Sequence, residues 1–103
     1  MRHAKRTDEN HAEIRDGLRA LGHDVFDFSH VGGGIADLAV KVSATMSIWL
    51  EVKRDKKEKL TDKEIIFKML WFEVYHVVTS VEEAVKAIQY GRSLIAAKQG
   101  EVK

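Results

Sequence analysis

The sequence predicts an α/β protein in which a single mixed sheet is flanked by helices, with the element order α-β-β-β-α-β-α. Two patterns predict this order. Apolar residues at helical spacing mark three segments, and short runs of β-branched and aromatic residues mark four others. The length of 103 residues fits one domain, so we expect a single domain over residues 1–103. With 45% hydrophobic and 32% charged residues, it should have a packed core and a highly charged surface.

The first helix is predicted over residues 7–22, the segment TDENHAEIRDGLRALG, because its apolar residues recur at helical spacing (Ile14, Leu18 and Leu21). Thr7 or Asp8 suits the cap at its start, and Gly22 suits its end. The segment HDVFDFS that follows is predicted to be a short strand. The next segment, HVGGG, is predicted to be a loop, since its three glycines permit backbone conformations that other residues rarely adopt.

Two strands are predicted next, over IADLAVKV and SIWLEVK, and we expect them to be antiparallel neighbours joined through SATM. After the charged segment RDKKEK, Thr61 and Glu64 form a capping-box pattern that opens a second helix ending at about Trp71. The segment VYHVVTS is predicted to be the fourth strand. A second capping-box pattern begins at Ser80 and opens the last helix, predicted over residues 81–98.

Two of these apolar strands contain a carboxylate. Burying a carboxylate costs free energy unless another group compensates its charge. Because side chains alternate faces along a strand, pairing of the two strands brings Asp37, Glu51 and Lys53 to one side of the sheet, near the glycine loop. Two carboxylates at close range repel, so the pKa of one rises unless a cation lies between them. A hard divalent ion with oxygen ligands, Mg²⁺ or Mn²⁺, fits such a site better than zinc.

A simpler interpretation of the same residues stays open. Glu51 and Lys53 also suit an exposed cross-strand ion pair, and Asp37 suits a turn that follows glycine. The longer pattern favours the site: a glycine loop, an acid in a strand, a short spacer, an apolar strand ending in E-V-K, and then a basic segment.

The segments GGGIADLAV and IWLEVKR resemble the motif of the PD-(D/E)XK nuclease superfamily, and more closely its VRR-nuclease branch of phage and bacterial Holliday-junction-resolvase-like proteins. The resemblance runs from HAEIRDGLRALGHDV through LTDKEIIFKMLW to VYHVVTSVEEAV, which is nearly the whole chain. It implies a restriction-endonuclease-like core and a deoxyribonuclease that depends on Mg²⁺ or Mn²⁺. It also implies a location in the cytoplasm of a bacterial or phage-infected cell.

The resemblance assigns roles to individual residues. The catalytic residues of the motif fall on Asp37, Glu51 and Lys53. The implied metal ligands are the two acids, the main-chain carbonyl of Val52 and a glutamate of the first helix. Glu13 is the best match for that glutamate and Glu9 is the second, although acids in the first turns of a helix also favour its dipole.

This chain departs from the family pattern at two positions. Ala36 stands where the family usually has a proline before the motif aspartate; proline stiffens the backbone but supplies no ligand, so the departure concerns geometry more than chemistry. Glu64 stands in the second helix, where family members often carry a glutamine, and a carboxylate cannot donate to phosphate as an amide does.

A basic segment follows the E-V-K strand. Although the formal net charge is only +1, residues 53–63 contain six basic residues against three acids. We expect its lysines to bind backbone phosphates (Lys56, Lys57, Lys59 and Lys63). Ser29 is a candidate for contact with the scissile phosphate, with an ordinary surface-loop role as the alternative. His11 is expected to be an ordinary exposed histidine of the first helix, with a position facing the site as the alternative.

Composition and pattern exclude several classes of protein. The absence of cysteine excludes a disulfide framework and a thiolate metal site, and is compatible with a reducing cytoplasm. No apolar run approaches the roughly 20 residues of a membrane span, so we expect no membrane association. The triple glycine matches neither a P-loop nor a dinucleotide fingerprint, so we expect no nucleotide cofactor.

The sequence therefore predicts a metal-dependent endonuclease that hydrolyses DNA phosphodiester bonds and selects DNA shape, such as branched DNA or Holliday junctions. The alternatives are a catalytically inactive nucleic-acid-binding module on a nuclease fold and a small interaction domain. A homodimer is expected, because a small domain leaves apolar surface uncovered and a second DNA strand needs a second site. Trp49, Trp71 and Phe72 are assigned to the core or to that interface.

Overall fold

The predicted order α-β-β-β-α-β-α is confirmed in the computed structural model, which describes residues 2–101 and the side chains of residues 9–98. The helices are α1 (Arg2–Ala20), α2 (Asp62–Leu70) and α3 (Val81–Glu101), with a 3₁₀ turn at Phe72–Val74. The strands are β1 (Val25–Asp27), β2 (Leu38–Lys41), β3 (Ser47–Val52) and β4 (Tyr75–Val78). Within the described residues, no helix is both long and apolar enough to cross a bilayer.

The four strands form one mixed sheet in the order β1-β2-β3-β4. β1 and β2 are antiparallel, as are β2 and β3, and β4 joins β3 in parallel. The predicted antiparallel pairing of the second and third strands is therefore confirmed. Leu38 lies opposite Leu50, so continuing the same register places Asp37 opposite Glu51.

The hydrophobic core lies on one face of the sheet, between the strands and the helices α1 and α3. Its members include the inward side chains of β2 and β3 and the facing residues of both helices (Leu38, Val40, Ile48, Leu50, Val52, Ile14, Leu18, Ala84 and Ile88). The other face carries an aromatic cluster in which Phe67 of α2 packs edge-on against Trp49 of β3, with ring centroids 5.1 Å apart. α2 covers this second face without burying any of its own residues completely.

α1 begins earlier than predicted. It starts at Arg2, so Thr7 and Asp8 lie inside the helix and the prediction that either caps its start is wrong. No glycine or proline precedes them, so nothing in the segment stops the helix from extending towards the N-terminus. The predicted end is confirmed: Gly22 has a positive φ of 93°, and the amides of Gly22 and His23 bond the carbonyls of Arg19 and Leu18 in a Schellman motif.

The two predicted capping boxes differ in outcome. At α2 both halves are present, because Thr61 accepts from the amide of Glu64 and Glu64 accepts from the amide of Thr61. At α3 the hydroxyl of Ser80 accepts from the amide of Glu83. The carboxylate of Glu83 turns instead to Thr79, whose amide and hydroxyl both donate to it.

The glycine loop packs against the start of α2. Gly34 has a φ of +84°, and a Cβ atom at this position would lie 2.6 Å from backbone and side-chain atoms of Lys63. Gly33 also has a positive φ, of +71°, but a Cβ atom there would meet nothing within 4 Å. The loop therefore needs glycine at residue 34 both for its conformation and for close approach to the helix.

Gly34→Ala should destabilise the fold more than Gly33→Ala. Both variants incur a backbone cost of about 1–2 kcal/mol for an L-residue at positive φ, but only Gly34→Ala also pushes α2 away from the loop. Urea unfolding of the two variants and the wild type measures this difference. Equal free energies of unfolding for the two variants would contradict the packing role of Gly34.

Candidate metal and phosphate site

The C-terminal end of β3 buries two charged side chains. Glu51 is 3% exposed and Lys53 is 6% exposed, and they are the only buried charged residues among the side chains that the structure describes. Both belong to the sheet face covered by α2, opposite to the face of Leu50 and Val52. An exposed cross-strand pair, the simpler interpretation of the sequence, is therefore wrong for these two residues.

Asp37 is held beside Glu51 by backbone hydrogen bonds. Its carbonyl accepts from the amide of Phe28 at 2.8 Å, and its Oδ2 accepts from the amide of Val52 at 2.8 Å. Asp37 precedes β2 instead of lying inside it, yet these bonds keep it in register. Ala36, at the position where the family usually has proline, is completely buried. Packing around Ala36 therefore fixes the start of this strand.

Lys53 is surrounded by three carboxylates. Its Nζ lies 2.9 Å from Glu64 Oε1, 3.6 Å from Glu51 Oε2 and 3.8 Å from Glu58 Oε2. Only the first of these distances is a hydrogen bond. The ammonium is thus anchored to α2 through Glu64, and the carboxylates of Glu51 and Glu58 lie close enough to attract it.

Glu64 belongs to this cluster. The sequence singled it out only as a departure from the family's glutamine and did not predict its pairing with Lys53. Its Oε1 accepts from the Lys53 ammonium and also from the amide of Thr61, so the capping box fixes the carboxylate over the end of β3. The capping-box pattern was the available signal, since it fixes where the glutamate sits on its helix. The local pattern does not show which strand the start of the helix packs against, because that depends on the tertiary structure.

Burial and like charge shift the protonation of these acids. Burial, then the charges of Asp37 and Glu64, raise the pKa of Glu51 to about 9. Burial also raises the pKa of Asp37 against the opposing hydrogen bond from the Val52 amide. Burial opposes ionisation of Glu64 too, but the amide of Thr61 and the ammonium of Lys53 keep its pKa below the ordinary value. A further cation beside Glu51 and Asp37 would favour their charged forms.

The donor set at Asp37 and Glu51 fits Mg²⁺ or Mn²⁺. Glu51 Oε1 is buried and has no hydrogen-bond partner, which leaves a carboxylate oxygen available to a ligand. The carbonyl of Val52 points to the same side as its amide, which bonds Asp37. Mg²⁺ commonly binds through one or two carboxylates and keeps several waters. The absence of any three-ligand cluster of His, Asp or Glu among the described residues is compatible with that mode.

Glu13, the predicted helix ligand, is not brought to these acids. It is exposed and lines a separate groove with Glu9, Asn10, Arg54 and Asp55. α1 packs on the face of the sheet opposite to these acids, through residues such as Ile14, while the side chain of Glu13 is exposed. The assignment of Glu13 as a metal ligand, which the family resemblance implied, is therefore not supported by the fold.

Asn10 and His11 are the α1 side chains that reach the end of the sheet. Asn10 Nδ2 donates to the carbonyls of Lys53 and Thr79, at 2.8 and 3.0 Å, and so ties α1 to the ends of β3 and β4. The side chain of His11 is only 12% exposed, and its Nε2 lies 3.4 Å from Asp27 Oδ1. The expectation of an ordinary exposed histidine is therefore wrong.

The predicted phosphate-binding lysines are exposed around this site (Lys56, Lys57, Lys59 and Lys63). Lys56 forms an exposed ion pair with Glu83 at 3.3 Å, which is weak enough for phosphate to replace. Ser29 donates from both its amide and its hydroxyl to Asp27 Oδ1, which holds the pKa of Asp27 at about 2 despite partial burial. Its hydroxyl proton is thus committed to the loop, as in the surface-loop alternative.

Glu51→Gln should stabilise the metal-free protein at pH 8. The folded-state pKa of about 9 lies above the ordinary 4.5, so the folded state holds a proton that the unfolded state loses between these values. Stability is therefore lost as the pH rises through this window, by about 1.4 kcal/mol per pH unit at most. Gln does not titrate, so the free energy of unfolding of Glu51→Gln should exceed that of the wild type at pH 8 and approach it at pH 5.

Urea unfolding at pH 5 and pH 8 in the presence of EDTA measures this change. Glu82→Gln is the matched control, because Glu82 is exposed on α3 and, among the side chains that the structure describes, pairs only with Lys86 at 3.7 Å. A constant difference between Glu51→Gln and the wild type at the two pH values would contradict the burial of a protonated Glu51.

No protein-family model, curated protein or solved structure matches this chain. The resemblance to the VRR-nuclease branch of the PD-(D/E)XK superfamily accordingly stays a prediction from the sequence. The function has to be inferred from the cluster at the end of β3: two adjacent carboxylates, one with an oxygen that has no hydrogen-bond partner, a buried lysine, and nearby exposed lysines.

Proposed function

We propose that this protein is a metal-dependent endonuclease that hydrolyses DNA phosphodiester bonds. One observation carries the proposal: Glu51 is buried beside Asp37 with an unpartnered carboxylate oxygen, and Lys53 follows two residues later on the same face. A buried carboxylate oxygen without a partner costs free energy unless a proton or a ligand meets it, so the site favours binding of a cation there.

Asp37, Glu51 and the carbonyl of Val52 are the groups that would hold the metal. When bound there, Mg²⁺ or Mn²⁺ supplies Lewis acidity that activates water and neutralises charge on the phosphate. The proposed ligands are held in place without a metal ion: the amide of Val52 fixes Asp37, and the sheet and α2 enclose Glu51. Pre-organised ligands of this kind reduce the reorganisation needed to reach the reactive geometry.

Lys53 is suited to bind a phosphate oxygen or to orient the attacking water. An ammonium has three N–H donors, and Glu64 accepts only one of them at hydrogen-bond distance. Glu51 and Glu58 lie at 3.6 and 3.8 Å, so donors directed to their side remain available to substrate. The pKa of Lys53 is raised because its three carboxylates outweigh the effect of burial, which keeps the group cationic.

The exposed lysines after β3 are suited to backbone phosphates without sequence readout. They project from the loop and from the first turn of α2 (Lys56, Lys57, Lys59 and Lys63). Contacts to phosphate position a protein on DNA but carry no sequence information. Selection of branched DNA or Holliday junctions, in the cytoplasm of a bacterial or phage-infected cell, is the finer proposal that goes with the sequence resemblance.

The anchoring of Lys53 favours a second candidate, a nucleic-acid-binding module without activity. With three carboxylates around it, the ammonium is already neutralised in the folded chain. Such a module binds DNA through the exposed lysines and does not cut it. Cleavage of linear, flapped and four-way DNA, each with Mg²⁺, Mn²⁺ and EDTA, distinguishes the two: metal-dependent products support the nuclease, and binding without products supports the module.

Asp37→Asn and Glu51→Gln should each reduce the cleavage rate by at least ~100-fold, since loss of outer-shell support alone commonly costs ~10–100-fold. Both substitutions keep the size of the side chain and remove its charge, so the fold should survive. Rates of DNA cleavage with saturating Mg²⁺ and circular dichroism measure the two properties. Glu82→Gln should cut at the wild-type rate, and full activity of both site variants would refute the site.

Lys56→Ala combined with Lys57→Ala should flatten the salt dependence of DNA affinity. Each lost phosphate contact lowers the slope of log K against log[salt] by about 1, so the double variant should lower it by about 2. Titration of labelled DNA over a range of salt concentrations, with EDTA to prevent cleavage, gives the slope. Lys86→Ala is the control because this exposed lysine lies on α3, and an unchanged slope in the double variant would place DNA on another surface.

A further inference from the structure

Tyr75, the first residue of β4, buries a hydroxyl group that packing does not require. The residue is 5% exposed, and its Oη has no hydrogen-bond partner within the part of the chain that the structure describes. Its ring packs against Phe67 of α2, with the ring centroids 5.9 Å apart, and a phenylalanine ring would fill the same space. A buried hydroxyl without a partner costs free energy, so the tyrosine calls for an explanation beyond the aromatic cluster.

The hydroxyl of Tyr75 lies towards the acids at the end of β3. Tyr75 pairs with Trp49 in the parallel register of β3 and β4, so it shares a sheet face with Glu51, which lies two residues beyond Trp49. A diagonal neighbour of this kind is within reach of an aromatic side chain. Burial, then the charges of three acids, raise the pKa of the Tyr75 hydroxyl above its ordinary value (Glu51, Glu64 and Asp37). The group therefore stays a neutral O–H donor beside these acids.

Glu51 Oε1 is the complementary group, because it is a buried acceptor that also has no hydrogen-bond partner among the described residues. The other proposed ligand, Asp37, already accepts a hydrogen bond from the amide of Val52. Carboxylates that bind a metal are themselves hydrogen-bonded by outer groups, which fix their orientation. The free oxygen of Glu51 lacks such an outer group, and Tyr75 supplies a donor on the same face of the sheet.

We propose that Tyr75 is a positioning residue of this site, whose hydroxyl donates a hydrogen bond to the free oxygen of Glu51 when a metal ion is bound. The inference rests on the metal site of the proposed function and deepens it. A carboxylate oxygen has two lone pairs, so Oε1 can accept from the phenol and bind the ion at the same time. Because Tyr75 is buried against Phe67, its hydroxyl is out of reach of DNA and acts only through Glu51.

Calorimetric titration of the protein with Mn²⁺, without DNA, tests this role. Tyr75→Phe keeps the ring and removes the hydroxyl, so it should bind Mn²⁺ about 10–100-fold more weakly than the wild type. Tyr90→Phe is the matched control and should bind as the wild type does, because Tyr90 is 49% exposed on α3, which covers the other face of the sheet. Equal affinities of Tyr75→Phe and the wild type, with binding weakened in Glu51→Gln, would overturn the inference and leave the proposed function intact. A wild type that binds no Mn²⁺ would refute the metal site and this inference together.

Two further measurements separate positioning from a purely structural role of Tyr75. In EDTA, Tyr75→Phe should unfold at a urea concentration no lower than that of the wild type, since its hydroxyl has no partner in the metal-free fold. The Mn²⁺ concentration for half-maximal DNA cleavage should rise by the same ~10–100-fold, while the rate at saturating Mn²⁺ should approach that of the wild type. Lower stability in EDTA, or a rate that saturating Mn²⁺ does not restore, would overturn the inference. Because affinity and stability are measured without DNA, failure of this inference is distinguishable from failure of the proposed nuclease activity.

Discussion

The ion pair between Lys53 and Glu64 is the contact on which the second layer of the structure depends. α2 buries none of its residues completely, so its position over the sheet rests on this pair, on the aromatic contacts of Phe67 and on the close packing of Gly34. A buried ion pair adds little net stability while it is intact. Removing one partner, however, leaves the other charge buried and unpaired, which lowers the stability of the fold by about 3–5 kcal/mol. Lys53 therefore has a structural role in addition to the catalytic role proposed for it, and loss of activity in a Lys53 variant has to be separated from loss of α2.

The charges around Lys53 explain why the site is suited to a further cation. Glu51, Glu58 and Glu64 surround the buried ammonium of Lys53, and Asp37, which bonds the amide of Val52, adds a fourth carboxylate beside Glu51. Four carboxylates cannot all be ionised near one cation in a buried setting at low cost, and the folded chain resolves this by keeping Glu51 protonated, with a pKa of about 9. A divalent ion offers the other solution, in which the proton leaves and the carboxylate oxygen gains a ligand.

The part of the site that follows from local rules could be predicted from the sequence, and the part that depends on helix placement could not. Strand alternation has a period of two and the spacer between the strands is short, so the grouping of Asp37, Glu51 and Lys53 was accessible from the chain alone. Glu64 joins them and Glu13 does not, because α2 and α1 cover opposite faces of the sheet. A helical pattern shows which residues share a side of the helix, but not which face of a sheet that side will meet.

The two sides of α2 have different surroundings. Its inner side holds Glu64 against Lys53, and its outer side is an uncovered apolar patch that includes Met69 and Leu70. A helix of nine residues has little stability of its own, so whatever covers its outer side also fixes its inner side. A partner that binds only the ordered helix stabilises that state in proportion to the logarithm of its concentration. The geometry of the Lys53–Glu64 pair therefore depends on how firmly α2 is held against the sheet, and any contact that holds the helix there also orders the cluster at the end of β3.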